Sequence, residues 1–148
     1  MMKKELITAP NYKGGLGDRS WSPGIKVGPW LFLSGITAVD YATKQTVGRA
    51  PSPAAFTPGT ADPEAQWRQT LTNVSSMLAA AGGTMSDVVV ANVFVTDMAV
   101  YYDFEWVRKE FFEEPYPACT ALEVGSLVSP EWVIEIEVQA YISEPSSG

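Results

Sequence analysis

Two carboxylates, one thiol and no imidazole set the chemical possibilities of this chain. Its 148 residues contain no His and a single Cys. Without imidazole, Ser-His-Asp and Cys-His nucleophilic catalysis and His-based zinc sites are excluded. With only Cys119, so are an intrachain disulfide and a thiolate cluster. Glu135 and Glu137 stand two residues apart in a segment that alternates with Ile134, Ile136 and Val138. On a strand, both carboxylates then face the same side. Such a pair repels and raises one pKa toward neutrality, which suits a general acid, a general base or a group that positions water. The same spacing also describes the solvated or interface face of an ordinary amphipathic strand. Cys119, within Tyr116-Pro117-Ala118-Cys119-Thr120-Ala121, has no Lys or Arg close in sequence. It reads either as a small packed hydrophobe or as a nucleophile whose activation must come from tertiary neighbours.

Three other motifs carry less chemistry. Gly14-Gly15-Leu16-Gly17-Asp18 superficially resembles a phosphate loop but lacks the Gly-Lys-Ser/Thr ending, so a flexible loop is the preferred reading. Asn73-Val74-Ser75 matches a glycosylation sequon inside a helical pattern and is read as chance. Of the five tryptophans, Trp67 joins a helix core stripe, while Trp21 and Trp132 flank turns where they could line a pocket.

The elements that must position these groups follow from periodicity. Residues 10–29, rich in Gly and Pro, read as loops and turns. Glu5–Ile7 reads as a small edge strand, and residues 25–27 as the hairpin partner of a short buried strand over 31–36. Residues 41–62 form a long surface excursion suited to a lid or an insertion. Asp62-Pro63-Glu64 starts a helix whose Trp67, Leu71, Val74, Leu78 and Ala81 share one face, and Gly82-Gly83 ends it. A strand runs from Val88 to Asp97, and a second helix spans about 99–112 with Tyr101, Phe104, Val107 and Phe111 on one face. Short strands follow at 121–124 and from Ile134. Residues 143–148 read as a frayed tail. The order predicts one α+β domain over residues 1–148, a mixed sheet with two helices on one face. The other face, mixed apolar and acidic, is expected to be covered by self-association in a closed ring.

Composition narrows the partners. Ten Lys+Arg against 17 Asp+Glu give a net charge of −7, which argues against nucleic acid. No run approaches ~18 apolar residues, so no membrane span is expected. The charged start is not followed by an apolar stretch of signal-peptide length, and the expected compartment is the cytoplasm.

Several segments in order resemble the Rid (RidA/YjgF-like) family: Val27-Gly28 with Leu31-Phe32-Leu33-Ser34-Gly35, Gln66 to Val74, Ala79 to Val88, Val93 to Met98, Phe111-Phe112, Pro117-Ala118-x-Thr120 and Glu135-Ile136-Glu137. The resemblance implies a six-stranded mixed sheet with two helices on one face, the chorismate mutase-like architecture. It further implies a homotrimer around a central barrel, with three clefts between subunits. It implies hydrolysis of small enamines or imines, such as 2-aminoacrylate, without cofactor or metal. In that pattern Glu135 falls at the water-positioning glutamate and Ser34 and Gly35 at the strand end lining the cleft. Trp21 takes the place of a tyrosine, Glu105 lies near an asparagine position, and Cys119 replaces the arginine that clamps the substrate carboxylate. A thiol is at best a weak donor where a guanidinium makes a bidentate, charge-assisted bond.

The expected site is therefore Glu135 and Cys119 as catalytic candidates, with Trp21, Ser34, Gly35, Glu105, Ala118, Thr120 and Arg19 binding a small molecule. Arg19, two residues from Trp21, is the candidate replacement cation. Three functions stay open. One is conversion of a small imine or enamine that need not carry a carboxylate. Another is a non-catalytic binder or regulatory trimer. The third, an isomerase of the chorismate mutase kind, is poorly served by so few arginines near the site. Ribonuclease activity, reported within the family, is disfavoured by the acidic balance.

Overall fold

Strand pairing organises the protein, and the computed structural model describes residues 2–49 and 61–144. In chain order the elements are β1 (Glu5–Ile7), β2 (Gly24–Val27), β3 (Trp30–Leu33), α1 (Pro63–Ala80), β4 (Val88–Val95), α2 (Met98–Tyr102), β5 (Ala121–Glu123) and β6 (Ile134–Tyr141). The six strands form one sheet in the order β1-β2-β3-β6-β4-β5. β4 and β5 run parallel, and every other pairing is antiparallel. The expected α+β architecture is present.

The faces follow the pleat. Ile134, Ile136, Val138 and Ala140 of β6 are fully buried under α1 with Leu31 and Val93, while Glu135, Glu137 and Gln139 point to the open side. Phe94 pairs with Glu135 and Asn92 with Glu137, so these residues make one row across the open face. Trp30, Phe32, Tyr141 and Leu122 on that face are each 40% exposed or more.

α1 begins as its sequence requires. The Asp62 carboxylate accepts from the Ala65 amide at 3.0 Å and Pro63 fills the first position. It ends in a Schellman turn: Gly82 adopts φ +82°, the Gly83 amide donates to Leu78 O at 2.8 Å, and the Gly82 amide to Ala79 O at 3.0 Å. Three polar side chains of α1, those of Gln66, Thr70 and Asn73, are as buried as its apolar stripe. Gln66 donates to Glu131 O and Gly48 O and accepts from the Val133 amide. Asn73, the sequon residue, donates to Thr37 O and Val39 O at 2.8 and 2.7 Å. These amides fasten the loops after β3 and before β6 to the helix. Gln66→Ala is expected to lower unfolding free energy by roughly 2–4 kcal/mol: three bonds at about 1 kcal/mol each, plus buried groups left unpaired. Urea unfolding measures it, and a loss below about 0.5 kcal/mol would contradict the assignment.

One expectation needs correction. The second helix does not run over 99–112. α2 stops at Tyr102, Phe104 leaves helical geometry at φ −126° and ψ −1°, and residues 105–110 form a separate 3-10 helix. The spacing of Tyr101, Phe104 and Val107 fits a three-residue turn as well as a 3.6-residue one, so the apolar face survives the break. The segment after Tyr41 runs over the surface through the exposed Ala42, Thr43, Lys44 and Gln45 and is pinned back at one point. Val39 pairs with Thr46, and Thr46, buried, donates to Glu131 at 2.9 Å. Residues 50–60 of the expected excursion, with any lid role, and residues 145–148 of the expected tail lie outside the described residues.

No helix among the described residues is long and apolar enough to cross a membrane.

Candidate functional site

β6 presents Glu135 beside the segment that follows β3. Ile36 and Ile136 exchange two backbone hydrogen bonds, of 2.8 and 2.9 Å, which lay Gly35 directly against the Glu135 side chain. A Cβ at Gly35 would sit 2.7 Å from Cδ of Glu135 and closer still to Oε1. Glycine at this place is thus what gives the carboxylate its room. Burial pushes the Glu135 carboxyl above the usual carboxylate range, and the Glu137 charge adds to the rise. Among the described residues no protein donor hydrogen-bonds it, so its oxygens are free to hold water or a ligand. Glu137→Gln should move the Glu135 carboxyl titration to lower pH, as followed by carbon NMR. An unmoved titration would show that the two charges do not couple.

A cavity of about 550 Å³ opens in front of this carboxylate, and Arg19, Trp21, Ser34 and Gly35 line it with Glu135. Five of the nine expected site residues therefore meet in one chain. Trp21 packs over Gly14 and Gly15; a Cβ at Gly15 would come within 2.6 Å of the indole Cδ1 and Cε2. The glycine loop is a bed for this ring, and no helix follows it as a phosphate loop would need. The Arg19 amide closes the same loop onto Gly15 O at 2.8 Å. Ser34 is already occupied: its hydroxyl donates to Ser22 O at 2.6 Å and its amide to Pro23 O at 3.0 Å. The Gly35 amide has no partner among the described residues.

Tyr12 and Tyr41, which the sequence did not single out, complete the wall. Their rings stack with centroids 4.1 Å apart and planes at 4°. Burial, and then the Glu135 charge, push the Tyr12 hydroxyl pKa up to about 12, which places that hydroxyl within reach of the carboxylate's field. Burial also raises Tyr41, with Tyr12 adding to it. Trp132 closes the far side, its indole N–H donating to Thr46 at 3.2 Å. Beyond Trp132 lies a larger cavity of about 720 Å³. Its one titratable lining residue, Asp97, accepts from the Ala99 amide at the start of α2.

Cys119 and Glu105 lie elsewhere. The register that pairs Val90 with Ala118 and Val93 with Ala121 sets Cys119 beside Ala91, on the helix-covered face of the sheet. Glu135 is on the open face, so within one chain the thiol and the acid share no cleft. Cys119 lines a separate cavity of about 150 Å³ with Glu105, Arg108, Lys109 and Tyr116. Arg108 is the cation that sequence proximity could not reveal. It donates to Glu105 at 2.7 Å and to the Tyr101 hydroxyl at 3.1 Å. Burial opposes its charge, but Glu105 and the nearby Tyr101 and Cys119 more than compensate, and its pKa is raised. Ala118 and Thr120 are committed to structure. The Ala118 amide donates to Val89 O at 2.9 Å, and the Thr120 amide to the Asn92 side chain at 3.0 Å. No cluster of three or more metal-ligating side chains occurs among the described residues.

Comparison with known proteins agrees with this architecture. The family described as Endoribonuclease L-PSP matches residues 17–142. A RutC family protein of Sulfurisphaera tokodaii is 36% identical over 118 residues, 80% of this chain and 84% of the relative. The crystal structure of a protein of unknown function from Pseudomonas aeruginosa superposes with a TM-score of 0.80 at 34% identity, covering 100% of this chain and 99% of that one. RidA from the Antarctic bacterium Psychrobacter sp. superposes with a TM-score of 0.74 at 30% identity, over 93% of this chain and 99% of that one.

Proposed function

Because the chain belongs to the Endoribonuclease L-PSP family, with RutC and Rid proteins as its relatives, we propose that it hydrolyses a small imine or enamine with water held by Glu135. The observation that carries this reading is the Glu135 carboxylate. It is half-buried, free of protein donors, raised in pKa and set at the wall of a cavity wide enough for a substrate. An enamine first tautomerises to its imine. Glu135 then accepts a proton from water as the oxygen bonds to the C=N carbon, and hands that proton to the nitrogen, which restores the carboxylate. Collapse of the carbinolamine breaks the C–N bond, releasing ammonia and leaving a carbonyl product. The Gly35 amide and the Trp21 ring position the substrate. Cys119 stands where the resemblance expects a carboxylate clamp, so the substrate need not carry a carboxylate. Cys119 is read as lining the site rather than as its nucleophile.

The same reading includes a homotrimer. The open sheet face carries Trp30, Phe32, Leu122 and Tyr141, and a neighbouring copy would bring its Cys119 and Glu105 toward Glu135. Sedimentation showing a stable monomer at working concentration would remove this part.

The test is ammonia release from freshly generated imines. Acceleration over the buffer rate is expected, and its absence with every imine would overturn hydrolysis. The replacement of a guanidinium by the Cys119 thiol favours one second reading, a trimer that binds a small molecule without converting it. Tight binding of a small aromatic without turnover would establish that alternative.

A further inference from the structure

The cavity in front of Glu135 is built for more than a three-carbon enamine. At about 550 Å³ it has the size of sites that enclose whole drug-sized ligands. Four aromatic residues, Tyr12, Trp21, Tyr41 and Trp132, line it together with Val39 and Val128. Each ring is held by its own packing before any ligand arrives. Gly14 and Gly15 seat Trp21, Tyr12 and Tyr41 stack on one another, and Trp132 is fixed by its bond to Thr46. Flat surfaces fixed in advance bind flat groups without an ordering cost. Among the described lining residues only Arg19 and Glu135 carry charge. A small aliphatic substrate would leave these ring faces in contact with water.

We infer that the substrates of this site are aryl imines: compounds whose C=N carbon bears an aromatic ring, held flat against Trp21 with the C=N carbon toward Glu135. The inference rests on the hydrolytic reading and adds the substrate class to it.

Two N-unsubstituted ketimines made in place by a flavin amine oxidase test it, the aryl imine of 1-phenylethylamine and the alkyl imine of 2-aminobutane. Ammonia release should give a kcat/KM at least about tenfold higher for the aryl imine, in line with the strength of ring–ring contacts plus buried area. Trp21→Phe should keep that ratio and Trp21→Leu should bring it toward one, the change lying mainly in KM. Equal kcat/KM for the two imines, or an undiminished ratio in Trp21→Leu, would overturn the inference while leaving hydrolysis standing. If neither imine decays faster than in buffer, turnover of these two compounds gives no ratio, and hydrolysis is judged on the wider set of imines. The inference is then read from tryptophan fluorescence, with acetophenone expected to bind at least about tenfold tighter than butanone. Equal affinities would overturn it.

Discussion

Glu135→Gln is expected to lower kcat for imine hydrolysis by about 10²–10⁴-fold, the usual contribution of a positioned general base. Glutamine keeps the shape of the side chain and its place against Gly35, but it cannot take a proton from water. Sedimentation and thermal unfolding should therefore stay close to the wild type while turnover falls. A variant within about threefold of the wild-type rate would remove Glu135 from the chemistry. The pH profile carries an independent check. Because burial and then Glu137 raise the Glu135 pKa, the carboxyl holds its proton to higher pH than an exposed glutamate does. Activity that needs the ionised form is present above that raised pKa and fades as pH falls through it. In Glu137→Gln the acid limb should move to lower pH, and in Glu135→Gln the limb assigned to this group should vanish.

Gly35→Ala is expected to cost about 10²-fold or more in kcat although residue 35 donates no proton. The added Cβ would lie 2.7 Å from Cδ and 2.9 Å from Cγ of Glu135. The backbone cannot move away to relieve this, because the two hydrogen bonds between Ile36 and Ile136 fix the next residue to β6. The carboxylate must then rotate out of its place. Overpacking of this kind lowers stability by roughly 1–3 kcal/mol, so the variant should still fold. The signature is non-additivity: Gly35→Ala combined with Glu135→Gln should be no slower than Glu135→Gln alone. Additive losses in the double variant would mean that Gly35 acts through something other than the carboxylate.

The parts of this protein that were legible in its sequence are those with a local period. β6 announces itself by strict alternation, and the same alternation puts Glu135 and Glu137 on one side. α1 is legible through its cap, its stripe and its paired glycines. Arg19 and Trp21 share a cavity, though a closed turn rather than the expected extended loop brings them there. The misses have a common physical origin. Tyr12 and Tyr41 come from different loops and meet only through tertiary packing, so no spacing marks them. Arg108 reaches Cys119 across the sheet edge, which sequence distance hides. Gln66 and Asn73 flank an apolar stripe and look like solvent-facing amides; they are buried because loop backbones supply their partners. The break after Tyr102 was invisible because three-residue and 3.6-residue turns place Tyr101, Phe104 and Val107 on the same side.

Both outermost strands of the sheet, β1 and β5, are only three residues long. Unpaired backbone at a sheet margin is a template on which further chains can add, and a stub of three residues offers too few hydrogen bonds to seed such growth. Runaway cross-β stacking is blunted at the margins. In the proposed homotrimer, contacts between copies would fall instead on the broad aromatic surface, where recognition depends on the fit of side chains and closes on itself rather than growing into a fibre.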